Sequence, residues 1–272
     1  MPTFSTQHHT IYYVTAGNSA SPSLLLLHGF LGSHADFSPL LPTLSQHFHC
    51  IVPDLPGHGK TCAKENTYNF QTASESLKAL LQHLNISRTR LAGYSMGGRL
   101  ALYLTCLYPA LISRVVLESA SPGLQSLKEQ QTRQQKDDAI AHTLETTPFP
   151  TFLTHWYNNP LFADLKRHQL LFQQMLQRRA HNNPQQLAQA LRGFSTGRQP
   201  SLWQNLEAIE QPVLLLTGKL NQKFIDINKK MLEACHQNSP SLAKIIVVKD
   251  CGHNVHLASP TAYLDIMTQF LL

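Results

Sequence analysis

The chain has 272 residues, of which 42% are hydrophobic and 14% are charged. This composition predicts one or two folded domains and argues against an intrinsically disordered chain. No stretch approaches the roughly 18 consecutive apolar residues of a membrane-spanning helix. Residues 1–10 also lack the pattern of a secretory signal. We therefore expect a cytoplasmic protein with no stable membrane insertion.

The charge balance is basic, with 22 Lys and Arg residues against 16 Asp and Glu residues, a net charge of +6. An anionic small molecule fits this balance better than nucleic acid, because the basic residues form neither a run of five nor an aromatic-interleaved strip. The 5 cysteines are scattered without a CxxC pair, which indicates reduced thiols rather than a disulfide framework or a zinc site. No metal or cofactor is predicted.

The predicted elements alternate between strands and helices at both ends of the chain. Apolar runs that end in turn residues predict buried parallel strands, and apolar residues at helical spacing predict the helices between them. The predicted strands are residues 24–28, 50–54, 90–94, 114–117, 212–217 and 243–248. The predicted helices are residues 72–84, 96–107, about 224–235, and 260–271. This alternation predicts a mostly parallel sheet with helices on both faces.

The middle of the chain, residues 122–206, has no strong strand pattern. Its periodicity predicts helices over residues 124–144, 165–179 and 184–192. We interpret this segment as a helical cap on a core formed by residues 1–121 and 207–272. The cap would cover the carboxyl edge of the sheet, where open α/β sheets bind ligands. The alternative is a helical decoration that contacts no site.

Residues 93–97 match the G-x-S-x-G motif, in which a nucleophilic serine lies on a strand-to-helix turn. Ser95 is the predicted nucleophile, and the backbone N–H groups of Phe30 and Met96 are placed to form an oxyanion hole. His253 follows the last predicted strand, so the chain order of serine and late histidine is that of α/β-hydrolases.

The third member of the expected triad departs from the usual acid, because the candidate residue after the strand at 212–217 is Asn221. An amide can orient a histidine, but it carries no charge to stabilise an imidazolium. Glu118, at the end of the strand at 114–117, is the candidate charge partner. Asp226 should lie on a helix and point elsewhere. We favour Asn221 as the orienting residue with Glu118 as its charged supplement.

Four motifs together resemble the α/β-hydrolase superfamily: residues 28–33, 54–59, 93–99 and 251–256. Three further stretches, residues 117–124, 156–162 and 192–203, resemble the 2-succinyl-6-hydroxy-2,4-cyclohexadiene-1-carboxylate synthase (MenH) family. The resemblance runs from about residue 24 to residue 260 and includes the cap. It implies an α/β-hydrolase fold with a helical cap inserted after the sixth strand.

The resemblance also implies a carbon–oxygen lyase of menaquinone or phylloquinone biosynthesis. That family eliminates pyruvate from 2-succinyl-5-enolpyruvyl-6-hydroxy-3-cyclohexene-1-carboxylate, a small tricarboxylate, without cofactor or metal. Ser95 and His253 match its catalytic residues, with Ser95 as the base that removes a ring proton, and Asn221 stands where the family usually has Asp. The substrate-binding residues that the resemblance implies are Arg99, Arg133, Arg179, Trp156, Tyr157 and Tyr94.

Two alternatives remain open. The first is a carboxylester or C–C bond hydrolase that acts through an acyl-Ser95 intermediate. The second is a catalytically lapsed hydrolase fold that binds a ligand or partner, and Asn221 is the feature that favours it.

Overall fold

The fold is known from a computed structural model that describes residues 2–64, 67–236 and 242–272. Nine strands of this described part form one sheet, in the order β1-β2-β4-β3-β6-β7-β8-β9, with β5 paired to β2. Strands β3, β4, β6, β7, β8 and β9 are parallel, whereas β1, β2 and β5 pair antiparallel. The strands are β1 Thr3–Ser5, β2 His9–Ala16, β3 Ser23–Leu27, β4 His49–Pro53, β5 Cys62–Ala63, β6 Thr89–Tyr94, β7 Ile112–Glu118, β8 Val213–Gly218 and β9 Ala243–Val248.

Helices cover both faces of the sheet. Alternate residues of a strand point to opposite faces, so Leu25 and Leu27 pack in one apolar cluster while Leu24 and Leu26 pack in another. The run of four leucines is therefore buried on both sides, as a central parallel strand requires. The helices are α1 Leu41–Leu44, α2 Phe70–His83, α3 Met96–Leu107, α4 Leu127–Thr146, α5 Phe149–Tyr157, α6 Gln169–Arg179, α7 Pro184–Gly193, α8 Gln222–Cys235, α9 Val255–Ala258 and α10 Pro260–Leu271.

Strand register brings the functional loops to one edge of the sheet. Tyr94, the last residue of β6, pairs with Glu118, the last residue of β7. Glu118 in turn pairs with Leu216 near the end of β8, and Gly218 pairs with Val248 at the end of β9. The loops that follow these strands carry Ser95, Asn221 and His253, and all of them therefore start at the same carboxyl edge.

Helices α4 to α7 lie between β7 and β8 and pack around a third apolar cluster. A capping box starts α4, in which Ser126 Oγ accepts from the Glu129 N–H and the Glu129 carboxylate accepts from the Ser126 N–H. The cluster includes Phe152, Met175 and Leu187 of the segment, and Leu31 of the core joins it. This shared cluster seats the helical segment on the carboxyl edge of the sheet.

Several elements differ from the sequence prediction. Strands β1, β2 and β5 were not predicted, because they are short or lie at an antiparallel edge where pairing partners decide the conformation. The cap follows the seventh strand in chain order rather than the sixth, since the two-residue β5 adds one strand to the count. Helix α5 was also missed, and α4 begins at Leu127, three residues later than predicted, because its cap is Ser126.

Candidate active site

Ser95 occupies a sharp turn between β6 and α3. Its φ of 51° lies in the left-handed region that non-glycine residues seldom adopt. The Ser95 N–H donates to the Glu118 carbonyl at 2.8 Å, which anchors the turn to β7. A Cβ atom on Gly93 would lie 2.3 Å from the Gly97 carbonyl oxygen, and one on Gly97 would lie 2.3 Å from the Leu27 oxygen. Both glycines are therefore steric requirements of this turn.

His253 lies in the loop between β9 and α9, and its Nε2 atom is 3.0 Å from Ser95 Oγ. The rings of Phe224 and Phe162 enclose it, with centroids 4.8 and 6.1 Å away. Burial lowers the pKa of His253 to about 3, and the positive charge of Lys223 and the neighbouring His256 act in the same direction. The imidazole is therefore neutral near pH 7, which is the state that can accept a proton from serine.

The structure places Asn221 on the far side of His253 from Ser95. The Asn221 Nδ2 atom lies 3.2 Å from His253 Nδ1, and it also contacts the hydroxyls of Thr217 at 3.1 Å and Ser119 at 3.4 Å. Hydroxyl groups can donate or accept, so they accommodate either orientation of the amide. The order serine, histidine and amide is that of a catalytic triad without the acid.

Glu118 does not reach His253, and the expectation that it supplies a charge to this histidine is wrong. Its Oε1 atom accepts hydrogen bonds from the N–H groups of Val255 at 2.6 Å and His256 at 3.1 Å. Its Oε2 atom lies 2.8 Å from His256 Nδ1. The carboxylate therefore binds the first turn of α9 and fixes the loop that carries His253. Asp226 is exposed and accepts from Gln222 on its own helix.

A cavity of about 350 Å³ opens beside Ser95 and His253. Asn221 and Glu118 lie behind its wall, and the other site residues predicted from the sequence line it. These lining residues are Phe30, Tyr94, Ser95, Met96, Arg99, Arg133, Trp156, Tyr157, Arg179 and His253.

Two backbone N–H groups at the cavity wall are available to an anion. They belong to Phe30, after β3, and to Met96, the first residue of α3. In the part of the chain that the structure describes, neither group donates to a protein acceptor. Donors at the start of a helix and beside a nucleophile suit an oxyanion.

Arg179 faces the cavity with its charge already paired. Two guanidinium nitrogens donate to the Asp36 carboxylate at 2.6 and 2.7 Å, and Nε donates to the Tyr157 hydroxyl at 3.2 Å. Burial acts to raise the pKa of Asp36, but the charge and hydrogen bonds of Arg179, together with His28 and His256, outweigh burial, so the net shift is downward. Arg179 and Tyr157 thus form part of a buried ion pair that joins the cap to the core, an arrangement that sequence spacing does not reveal.

Three other cations line the cavity: Arg99, Arg133 and Lys223. The Nε atom of Arg133 donates to both oxygens of Asp137 at 2.8 Å, which leaves its terminal nitrogens without a described partner. Lys223 lies at the exposed rim. Within the described ranges, no carboxylate lies within ion-pair distance of Lys223 or Arg99. The cavity is therefore electropositive.

The sequence reasoning missed Lys223, Phe162 and Phe224. Lys223 and Phe224 come two and three residues after Asn221, so their closeness to the triad amide was the available signal.

The acidic lining residue is Glu129, whose carboxylate accepts from Ser126 Oγ at 2.7 Å. Over residues 2–64, 67–236 and 242–272, no group of three His, Cys, Asp or Glu side chains is arranged to hold a metal ion. Nor does this part of the chain contain a helix suited to crossing a membrane.

Aromatic side chains complete the cavity. The Tyr94 ring packs between His253 and His256, with centroid distances of 5.4 and 4.9 Å. Trp156 from the cap contacts Phe30 edge-on at 5.3 Å. The cap and the core therefore meet at Phe30, whose backbone N–H group is one of the two available donors.

The chain is similar to known proteins in sequence and in fold. Residues 22–260 match the family model of the alpha/beta hydrolase fold. The 2-succinyl-6-hydroxy-2,4-cyclohexadiene-1-carboxylate synthase of Pectobacterium atrosepticum is 34% identical over 92% of this chain and 94% of its own length. The chain belongs to this synthase family. Family membership confirms the predicted α/β-hydrolase fold and the predicted relationship to the MenH group.

The structure of a family member agrees with this assignment. MenH from S. aureus superimposes with a TM-score of 0.87, at 32% identity, over 98% of both chains. Protein PHYLLO, a chloroplastic protein of Arabidopsis thaliana, is 30% identical over 97% of this chain but over 16% of its own length. The matched segment is therefore a small part of that longer protein.

Proposed function

We propose that this chain is a carbon–oxygen lyase that eliminates pyruvate from 2-succinyl-5-enolpyruvyl-6-hydroxy-3-cyclohexene-1-carboxylate. The product is 2-succinyl-6-hydroxy-2,4-cyclohexadiene-1-carboxylate, an intermediate of menaquinone or phylloquinone biosynthesis. The observation that carries the proposal is the combination of a Ser95–His253 pair with unpaired cations in one cavity. Membership of the synthase family supports it, and a cytoplasmic location remains a prediction.

The charge of the cavity suits a substrate with three carboxylates. Asp36 and Tyr157 engage all three nitrogens of Arg179, whereas Asp137 contacts only Nε of Arg133. We therefore assign substrate binding to Arg99, Arg133 and Lys223. Guanidinium groups bind carboxylates through two hydrogen bonds, and an ammonium group at the rim attracts them as a point charge. Trp156 and Tyr94 provide apolar walls for the ring.

Proton transfer begins with neutral His253. We infer that in catalysis the Asn221 amide is turned so that its carbonyl oxygen, in place of Nδ2, faces His253 Nδ1. This orientation keeps the proton on Nδ1 and leaves Nε2 free to accept. Nε2 takes the Ser95 hydroxyl proton across their 3.0 Å contact. Ser95 Oγ then removes a ring proton from the substrate.

The electron pair released from the ring C–H bond delocalises toward the succinyl carbonyl. Its oxygen becomes negatively charged between the N–H groups of Phe30 and Met96. The C–O bond to the enolpyruvyl group then breaks, and the leaving group takes the proton held on His253 and tautomerises to pyruvate. Ser95 ends the cycle protonated, so no acyl-enzyme forms.

The test is pyruvate release from freshly generated substrate, followed by NADH oxidation with lactate dehydrogenase. We expect rapid release by the wild type and release at the spontaneous rate by Ser95→Ala. Ser113→Ala is the matched control, because Ser113 bonds to the Thr89 carbonyl in the sheet, far from Ser95 in the register of β7. Absence of release above the spontaneous rate would contradict the proposal, and trapping an acyl-Ser95 would favour the hydrolase alternative.

A further inference from the structure

The arginines of the cap and its surroundings differ in what holds their guanidinium groups. Four of them donate to carboxylates, in the pairs Arg133–Asp137, Arg179–Asp36, Arg192–Glu145 and Arg198–Asp138. Arg99 is different, because its Nη1 atom donates to the side-chain oxygen of Gln199 at 3.1 Å. A neutral amide thus holds the arginine that lies four residues after the nucleophile.

Gln199 is itself fixed at both ends of its amide. It is 1% exposed, and its Nε2 atom donates to the Ser121 carbonyl at 3.2 Å. A carbonyl requires a donor and a guanidinium requires an acceptor, so the two contacts define one orientation of the amide. Ser121 immediately precedes the cap segment and Gln199 lies near its end. The amide therefore ties both ends of the cap to helix α3.

We propose that Gln199 is a positioning residue that holds Arg99 without cancelling its positive charge. A glutamate could orient the guanidinium equally well, but it would form an ion pair and compete with the substrate carboxylate. The charge of Arg99 is costly in the free enzyme, since burial and the nearby charge of Arg133 both lower its pKa. A carboxylate that enters the cavity relieves this cost, and the relief contributes to binding.

Arg99 keeps this charge beside an aromatic ring. Its guanidinium carbon lies 5.5 Å from the centroid of Phe70, a distance at which a ring face stabilises a cation without neutralising it. The two groups that contact the guanidinium, the amide and the ring, are neutral. The charge of Asp137 also acts on Arg99, but this carboxylate bonds to Arg133 and Ser195 instead. The identity of the bound anion rests on the proposed function, whereas the neutral support of Arg99 does not.

The test compares Gln199→Glu with Gln199→Met. The glutamate variant keeps an acceptor for Arg99 but adds a negative charge, and the methionine variant removes the acceptor but keeps the charge of Arg99. Gln211→Glu is the matched control, because Gln211 is also buried and also donates to a backbone carbonyl, that of Pro109. The steady-state KM and kcat for pyruvate release and the melting temperature are measured for each.

We expect Gln199→Glu to raise KM about 10- to 100-fold, the factor that corresponds to one charge-assisted contact. The rise for Gln199→Met should be several-fold smaller, and Gln211→Glu should leave KM unchanged. A KM for Gln199→Glu that equals or falls below that of Gln199→Met overturns the proposal, because the hydrogen bond would then matter more than the charge. If Gln199→Glu does not fold, Gln199→Met is compared with Arg99→Met, and equal increases in KM overturn it.

A second readout separates this proposal from the proposed function. Calorimetric titration with succinate measures binding of a dicarboxylate without any turnover. We expect the dissociation constant to rise by the same factor in Gln199→Glu, even if the wild type releases no pyruvate. Equal affinities of the wild type and Gln199→Glu overturn the role of Gln199. If the wild type neither binds succinate nor releases pyruvate, both proposals fail.

Discussion

Replacing Asn221 with Asp tests how the missing acid affects catalysis. A carboxylate oxygen of the variant would take the place of the terminal amide atom that lies 3.2 Å from His253 Nδ1. A carboxylate and an imidazolium at such a distance attract by about 5 kcal/mol at an effective dielectric constant near 20. Asn221 is buried, so desolvation of the carboxylate offsets part of this attraction, although the hydroxyls of Ser119 and Thr217 can donate to it.

The net gain should therefore resemble that of a hydrogen bond to a charged group, about 1.5–3 kcal/mol. One pKa unit corresponds to about 1.4 kcal/mol, so the pKa of His253 should rise by about one to two units. A negative charge favours the imidazolium, and the pKa accordingly moves up from its value of about 3. If imidazolium forms in the transition state, kcat should increase about 10- to 100-fold.

The assay is pyruvate release measured between about pH 4 and pH 9. The acid limb of kcat/KM, which the low pKa of His253 places below this range in the wild type, should move into the range in Asn221→Asp. The value of kcat near pH 7 should also increase. Asp226→Asn is the control, because this carboxylate is exposed on α8, the helix that follows Asn221, and accepts from Gln222. A shifted acid limb without an increase in kcat would refute the reasoning, since His253 would then carry no charge in the rate-limiting transition state.

Three further predictions concern charged groups around the cavity. Lys223→Met should raise the pKa of His253, because the substitution removes a positive charge that lowers this pKa. The same variant should raise KM about tenfold. The pH profile of pyruvate release checks the first expectation, and KM checks the second. Glu118→Gln should lower the free energy of unfolding in urea by about 1–3 kcal/mol but leave the acid limb of kcat/KM in place. Arg179→Met should destabilise the fold by about 3–5 kcal/mol, because it leaves Asp36 buried without a partner. The double variant with Asp36→Asn should recover part of that loss in the same urea experiment, and additive losses would contradict the ion-pair explanation.

The sequence by itself determined the frame of the site. Glycine is required at positions 93 and 97 because other parts of the backbone pass too close to leave room for a Cβ atom. The structure shows both close approaches. The apolar run at residues 24–27 similarly required a strand buried on both faces. Such features are local, because the steric and burial requirements behind them can be read from a few consecutive residues. The same kind of local pattern placed Ser95, Asn221 and His253, because each residue comes shortly after a predicted strand.

Only the tertiary structure decided how the charges are paired. Arg179 and Asp36 are 143 positions apart, and Arg99 and Gln199 are 100 positions apart. An arginine has the same appearance in a sequence whether it meets a carboxylate, an amide or a substrate, because its partner comes from another part of the fold. Glu118 was likewise predicted to serve His253, yet the direction of β7 and the path of the following loops bring it to His256. Ion pairs depend on distances of a few ångströms between remote segments, and those distances are set by packing.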